Sequence, residues 1–272
     1  IRELMSVTGR PDGAPGAKGT DKNDTPTLKI FPPWKDAKGP APAVLLIPGG
    51  GYKHISGYGT FWEFFQTRPV RFFSMKYRLP VHGYRHPAPL QDAQRAVRTI
   101  RANAEDWNID PDRVLVVAFS SGGHVATTLA THYDMGQANA QDPVERFSCR
   151  PDYMALFCPV ISMKSHPHRP SVDRLLGPDP DPKLLDGGGG AEAGAKNDGR
   201  FTYSHEGAGD GNPSQLAVVW WGRPGEPDLL IIYNESDQSF KVGNLGDWSQ
   251  GDWKVLARSW FGDDFDFGDM DN

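Results

Sequence analysis

Long hydrophobic runs are missing from this sequence. No stretch of about 20 apolar residues occurs, so no helical membrane span is read and no membrane partner is expected. Basic clusters are missing too: the formal net charge is −5, and Lys and Arg form no run that could replace phosphate counterions. That excludes a nucleic-acid surface from the expectations. Cysteine is scarce. Cys149 and Cys158 allow one disulfide, but Cys158 ends the apolar run Ala155-Leu-Phe-Cys158 and reads as a buried free thiol. The chain opens at Ile1 with neither an initiator Met nor an apolar leader, which reads as a mature or trimmed form. The compartment stays open, with a secreted or periplasmic setting favoured. Histidine is absent after His205, which matters below.

What is present is enough for a core. In 272 residues, 38% hydrophobic and 23% charged, one large domain fits, or a medium domain with an appendage. Residues 1 to about 26, rich in Gly, Pro and Asp, read as an arm or loop. Thr27–Phe31 alternates like a strand. Ala43–Ile47, Val70–Tyr77, Val114–Phe119 and Tyr153–Val160 are short apolar runs of the kind buried on both faces. Leu90, Ala93, Val97, Ile100 and Ala104 recur at helical spacing and predict an amphipathic helix over about Pro89–Asp106, with Arg95, Arg98 and Arg101 on its opposite face. A second helix is expected from Gly122 to about Tyr133. Strands alternating with helices predict an α/β fold with a mostly parallel sheet flanked by helices over residues 1–185. A Gly-rich linker over 186–215 follows, and then a β-rich segment over 216–272 with strand-like runs at Leu216–Trp221, Leu229–Tyr233 and Trp253–Ala257.

Two motifs carry chemistry. In Ala118-Phe-Ser-Ser-Gly-Gly-His124 a buried strand runs into a serine and a helix opens on glycine, the pattern of a nucleophile elbow that presents Ser120. Read alone, Ser-Ser-Gly-Gly fits an ordinary strand-to-helix turn equally well. The second motif shifts that balance. Pro48-Gly-Gly-Gly-Tyr52 follows an earlier buried strand, where backbone N–H groups would meet a developing alkoxide. The expected oxyanion donors are the amides of Gly50, Gly51 and Ser121. A phosphate-binding loop is the weaker alternative, because no Lys-Ser/Thr pair or helix opening follows the glycines.

Ile47-Pro-Gly-Gly-Gly-Tyr52, Lys76-Tyr-Arg-Leu79, His86-Pro-Ala-Pro-Leu-Gln-Asp92, Gly122-Gly-His124 and Leu175-Leu-Gly177, in that order, resemble the esterase/lipase-type α/β-hydrolases related to acetyl xylan esterases. The resemblance covers roughly residues 8–185. It implies an α/β-hydrolase fold and serine-dependent deacetylation of carbohydrate, with no metal or organic cofactor and a small ester or acetylated sugar as partner.

A hydrolase of this plan needs an acid and a base in the order Ser, Asp or Glu, His. Asp237, just past Leu229–Tyr233, is the acid candidate. The base is harder to find, because the resemblance places it about thirty residues after the acid and the sequence has no histidine there. His205 is the candidate base, although it precedes Asp237; geometry rather than chain order defines a triad. His124, on the elbow helix, is expected to pack or hold a structural hydrogen bond. His166-Pro-His168 lacks supporting metal ligands and reads as solvated loop. The tail also resembles the C-terminal β-domain of isoamylase-type debranching enzymes, through Leu216–Asn234 and Gly251–Leu256. In that reading Asp237 is a loop residue, and Trp220, Trp221, Trp248, Trp253 and Trp260 are available to stack on sugars. An incomplete hydrolase that binds polysaccharide without turnover is therefore the alternative. Oligomeric state is not legible.

Overall fold

The computed structural model describes residues 5–8, 13–32, 39–157, 159–160, 163, 168–187, 216–219, 229–234 and 239–244. Its architecture starts from β3 (Ala41–Ile47), every residue of which is buried. An all-apolar strand has no face to offer water, so it needs cover on both sides. Val44 and Leu46 point into one cluster with Phe72, Leu115 and Val117; Ala43, Leu45 and Ile47 point into the other. Each such side chain contributes about 1.5–3 kcal/mol on burial.

Neighbouring strands are β4 (Arg71–Lys76) and β5 (Ile109–Phe119), both parallel to β3, with β6 (Tyr153–Phe157) parallel to β5. Beyond β4 the sheet turns antiparallel, through β2 (Thr27–Ile30) and then β1 (Met5–Thr8), giving the order β1-β2-β4-β3-β5-β6. This is the α/β-hydrolase plan, a mostly parallel sheet flanked by helices. α1 (Gly59–Phe65) places Phe65 in the Val44 cluster on one face. α2 (Ala88–Ala102) and α3 (Ser121–Thr131) cover the other with Ala93, Val97, Ile100, Val125 and Leu129. Two shorter helices follow, α4 (Arg169–Leu175) and α5 (Pro182–Gly187).

Three details depart from the sequence reading. The arm expected before residue 26 contains β1, paired through Met5–Thr8 to Thr27–Ile30. β5 starts at Ile109, inside the expected turn, with a register shift before Val114. The opposite face of α2 is covered rather than solvated. Arg95 reaches Asp142 and Glu145, Arg98 reaches Asp134, and Arg101 reaches Asp152, so the segment after α3 is tied down over the helix by ion pairs. Cys149 is a buried free thiol; Cys158 lies outside the described residues.

In the tail, β7 (Leu216–Val219), β8 (Leu229–Asn234) and β9 (Ser239–Asn244) form a three-stranded antiparallel sheet, β7-β8-β9. The described residues of the C-terminal segment from 216 on are thus all in strands. Most of the expected Gly-rich linker, the five tail tryptophans and the expected strand Trp253–Ala257 lie outside the described residues. Among the described residues, no helix is long and apolar enough to cross a membrane.

Candidate active site

The chain leaves β3 for β4 on one side, then crosses back over β3 to β5 on the other. Adjacent strands whose connections depart in opposite directions leave a crevice beyond their carboxyl ends, where ligands of open α/β sheets bind. Here that crevice is bounded by the loop after β3, which carries Gly49–Gly51, and by the turn after β5, which carries Ser120. Both expected motifs therefore arrive at the same place.

Ser120 joins β5 to α3 with φ 52° and ψ −121°. L-residues rarely enter this region, and holding one there costs on the order of 1–3 kcal/mol. Close packing enforces it. A β-carbon at Gly122 would stand 2.1 Å from the Ile47 carbonyl oxygen, and one at Gly123 would stand 2.5 Å from Pro159 Cβ. Only glycine lets the first turn of α3 lie so near the end of β3. The Ser120 carbonyl accepts the Gly123 and Val160 N–H groups, fastening the elbow from behind.

The loop after β3 presses on this elbow. A β-carbon at Gly49 would lie 2.9 Å from Ser120 Cβ and 2.7 Å from the Phe119 carbonyl oxygen. Gly50, Gly51 and Tyr52 follow with φ of 123°, 57° and 59°. Among the described residues, nothing accepts a hydrogen bond from the N–H groups of Gly50, Gly51 or Ser121. The carbonyls behind the two glycine donors are occupied: Gly49 O accepts Ser56 N–H, and Gly50 O accepts those of Lys53 and His54.

Two buried tyrosines anchor the loop, one to the elbow helix and one to the end of β4. Tyr52 OH lies 2.8 Å from His124 Nδ1, and Tyr77 OH donates to the Pro48 carbonyl at 3.0 Å. Burial pushes both phenols above their ordinary value of 10.0. His124 therefore holds a structural hydrogen bond one turn beyond the serine. Nearby, Arg78 is wholly buried with Asp92, to which its Nη2 donates at 2.7 Å, and its Nη1 reaches the Pro15 carbonyl. This pair joins the end of β4 to α2 and to the N-terminal arm.

Of the expected site residues, Ser120, Ser121, Gly50 and Gly51 come together at the β3–β5 crevice. His205 and Asp237 lie outside the described residues. Among the described residues, no imidazole is hydrogen-bonded to Ser120 Oγ, and no group of three or more His, Cys, Asp or Glu could hold a metal ion. Sequence reasoning missed Gly49, whose close approach to Ser120 was signalled only by its place in the glycine run. It also missed Arg174 of α4, whose Nη1 donates to the Gly51 carbonyl at 2.8 Å.

Comparison with known proteins gives the family. The BD-FAE family model matches residues 28–152, a span that holds both motifs. The structure of an acetyl ester-xyloside bifunctional hydrolase from Caldicellulosiruptor lactoaceticus matches with a TM-score of 0.65 and 34% identity, over 70% of this chain and 69% of that one. The chain belongs to the esterase α/β-hydrolases related to acetyl xylan esterases. Endo-1,4-beta-xylanase B of Butyrivibrio fibrisolvens is 38% identical over 143 residues, 50% of this chain and 22% of that protein. Acetylxylan esterase of Xylanibacter ruminicola is 33% identical over 150 residues, 53% of this chain and 28% of that protein. The chain thus spans less than a third of the length of either curated relative.

Proposed function

We propose that this esterase-family chain is a serine hydrolase that removes acetyl groups from carbohydrate, with Ser120 as nucleophile. The observation that carries the reading is the strained serine at the β5–α3 join, with the Gly49 backbone against it and, beside it, the amides of Gly50, Gly51 and Ser121, which have no acceptor among the described residues. Ser120 Oγ attacks the acetyl carbonyl carbon and gives its proton to the base. The carbonyl oxygen becomes an alkoxide held by the three amides, a term worth about 2.7–4 kcal/mol per donor. Collapse breaks the ester bond, and the base returns its proton to the departing sugar oxygen. Water, deprotonated by the same base, then releases acetate from the serine. His205 is the proposed base, oriented by Asp237. The sugar specificity rests on the relatives, whose names include acetylxylan esterase and an acetyl ester-xyloside hydrolase.

A fluorophosphonate probe tests the nucleophile. Labelling is expected in the native chain and absent in Ser120→Ala, and equal labelling of both would sink the assignment. Acetate release from acetylated xylan should fall by about a millionfold in Ser120→Ala and comparably in His205→Ala. A second reading, a hydrolase-fold protein that binds polysaccharide without turnover, is favoured by the lack of any histidine after His205. Retention on insoluble xylan with neither labelling nor acetate release would establish it.

A further inference from the structure

Each peptide unit is planar and trans, so its N–H points opposite to its C=O. Fixing a carbonyl therefore aims the amide on the other side of the same unit. In the loop after β3, Ser56 N–H on Gly49 O aims the Gly50 amide, and Lys53 and His54 N–H on Gly50 O aim that of Gly51. Those donors belong to the loop itself. The next carbonyl, Gly51 O, is held from outside by Arg174 Nη1 at 2.8 Å, across 123 residues of sequence. Gly51 has φ 57° and no side chain to restrict it, so the Gly51–Tyr52 unit that follows is free to swing unless its own carbonyl is held, and Arg174 holds it.

Arg174 differs from the ion-paired arginines of this fold. Arg78, Arg95, Arg98, Arg101 and Arg113 all form ion pairs, whereas Arg174 meets no carboxylate among the described residues. Its helix is well anchored: Ser171, Val172 and Leu175 are buried, and the Leu175 carbonyl accepts His86 N–H. The guanidinium is thus projected from a fixed support onto one carbonyl of the glycine loop.

We propose that Arg174 is a positioning residue for the oxyanion loop, locking the Gly51–Tyr52 peptide and so keeping the loop that carries the Gly50 and Gly51 amides seated beside Ser120. The proposal rests on the serine-hydrolase reading for its catalytic consequence, but the clamp itself is readable without turnover. The test uses the full chain carrying Arg174→Met, which keeps the aliphatic stem and removes the donors, and Arg174→Lys, which restores one donor. Hydrogen exchange of peptides covering residues 48–56 should rise several-fold in Arg174→Met and return toward native rates in Arg174→Lys, with β5 and α3 unchanged. On an acetate ester, kcat should fall by about 10- to 100-fold at nearly constant KM, with partial recovery on adding guanidinium ion. Unchanged exchange over 48–56 overturns the clamp whatever the activity. Raised exchange with unchanged kcat overturns its catalytic role. If the native chain neither turns over esters nor takes a fluorophosphonate, the serine-hydrolase reading fails, and the exchange result alone decides the clamp.

Discussion

The two segments that meet at the β3–β5 crevice are built on opposite principles. The elbow at Ser120 is held by steric contact: Gly122 lies against the Ile47 and Pro48 carbonyls and Gly123 against Pro159, so the strained serine has no room to relax. The loop over Pro48–Ser56 is packed closely at Gly49 and Gly50 but depends in addition on hydrogen bonds to its carbonyls, from Lys53, His54, Ser56 and Arg174, and at Gly51 on these alone. Contact forces rise steeply with displacement, whereas a hydrogen bond tolerates several tenths of an ångström. Ser120 is thus fixed by packing, and the glycine amides beside it are fixed by a softer network.

The hardest blow to the comparison is Gly122→Ala. Its β-carbon would sit 2.1 Å from Ile47 O and 2.6 Å from Pro48 O, both backbone atoms that cannot rotate aside. We expect a loss of about 4 kcal/mol or more, at the extreme of single substitutions, measured as a lowered urea midpoint together with lost labelling at Ser120. A stability within 1 kcal/mol of native, a limit set by ordinary surface changes, would show that the elbow is not held by contact.

The same contrast explains what the sequence made legible. Ser120 and the glycine run could be read because both are local: a buried apolar run, a small-residue break and a helix opening lie consecutively in Val114–Val125 and again, without the helix, in Ala43–Tyr52. The parallel core was legible for the same reason, since Ala43–Ile47 and Val114–Phe119 have no polar face. Contacts between distant residues were not. Arg174 carries no periodic or motif signal pointing to Gly51. The ion pairs of the α2 arginines were not legible either, because their carboxylate partners lie in Asp134–Asp152, a segment without pattern. Helix α1, Gly-Thr-Phe-Trp-Glu-Phe-Phe, is too short and too evenly aromatic to show a 3.6-residue stripe.

Tyr52 stitches the loop to the elbow helix and Tyr77 ties the loop to the end of β4, and both should reveal themselves in alkali. Burial raises each phenol above 10.0, so the folded chain keeps its protons where the unfolded chain has lost them. Stability from these groups is complete below about pH 10 and is lost as pH rises beyond it. Tyr52→Phe should reduce that alkaline slope. At neutral pH it should remove about 1–3 kcal/mol by leaving the buried His124 Nδ1 without its hydroxyl partner. Urea melts at pH 8 and pH 10.5 on both proteins separate the two effects. An unchanged stability at pH 8 would mean that the Tyr52–His124 bond does not join the segments.

The smallest effect is expected at Gly51, where the soft principle should be most forgiving. A β-carbon there meets only Arg174 Nη1, at 3.3 Å, the far end of a flexible side chain, so space is not the obstacle. What remains is the positive φ of 57°, worth on the order of 1–2 kcal/mol for an L-residue. Gly51→Ala should lower stability by about that amount, and Gly51→Asn, which tolerates this conformation better, by less. Yet both push against the guanidinium that fixes the neighbouring peptide. Exchange over residues 48–56 should therefore rise in both variants while the melt barely moves. If exchange instead follows global stability, the loop is part of the rigid elbow, and the division between contact-held serine and bond-held donors disappears.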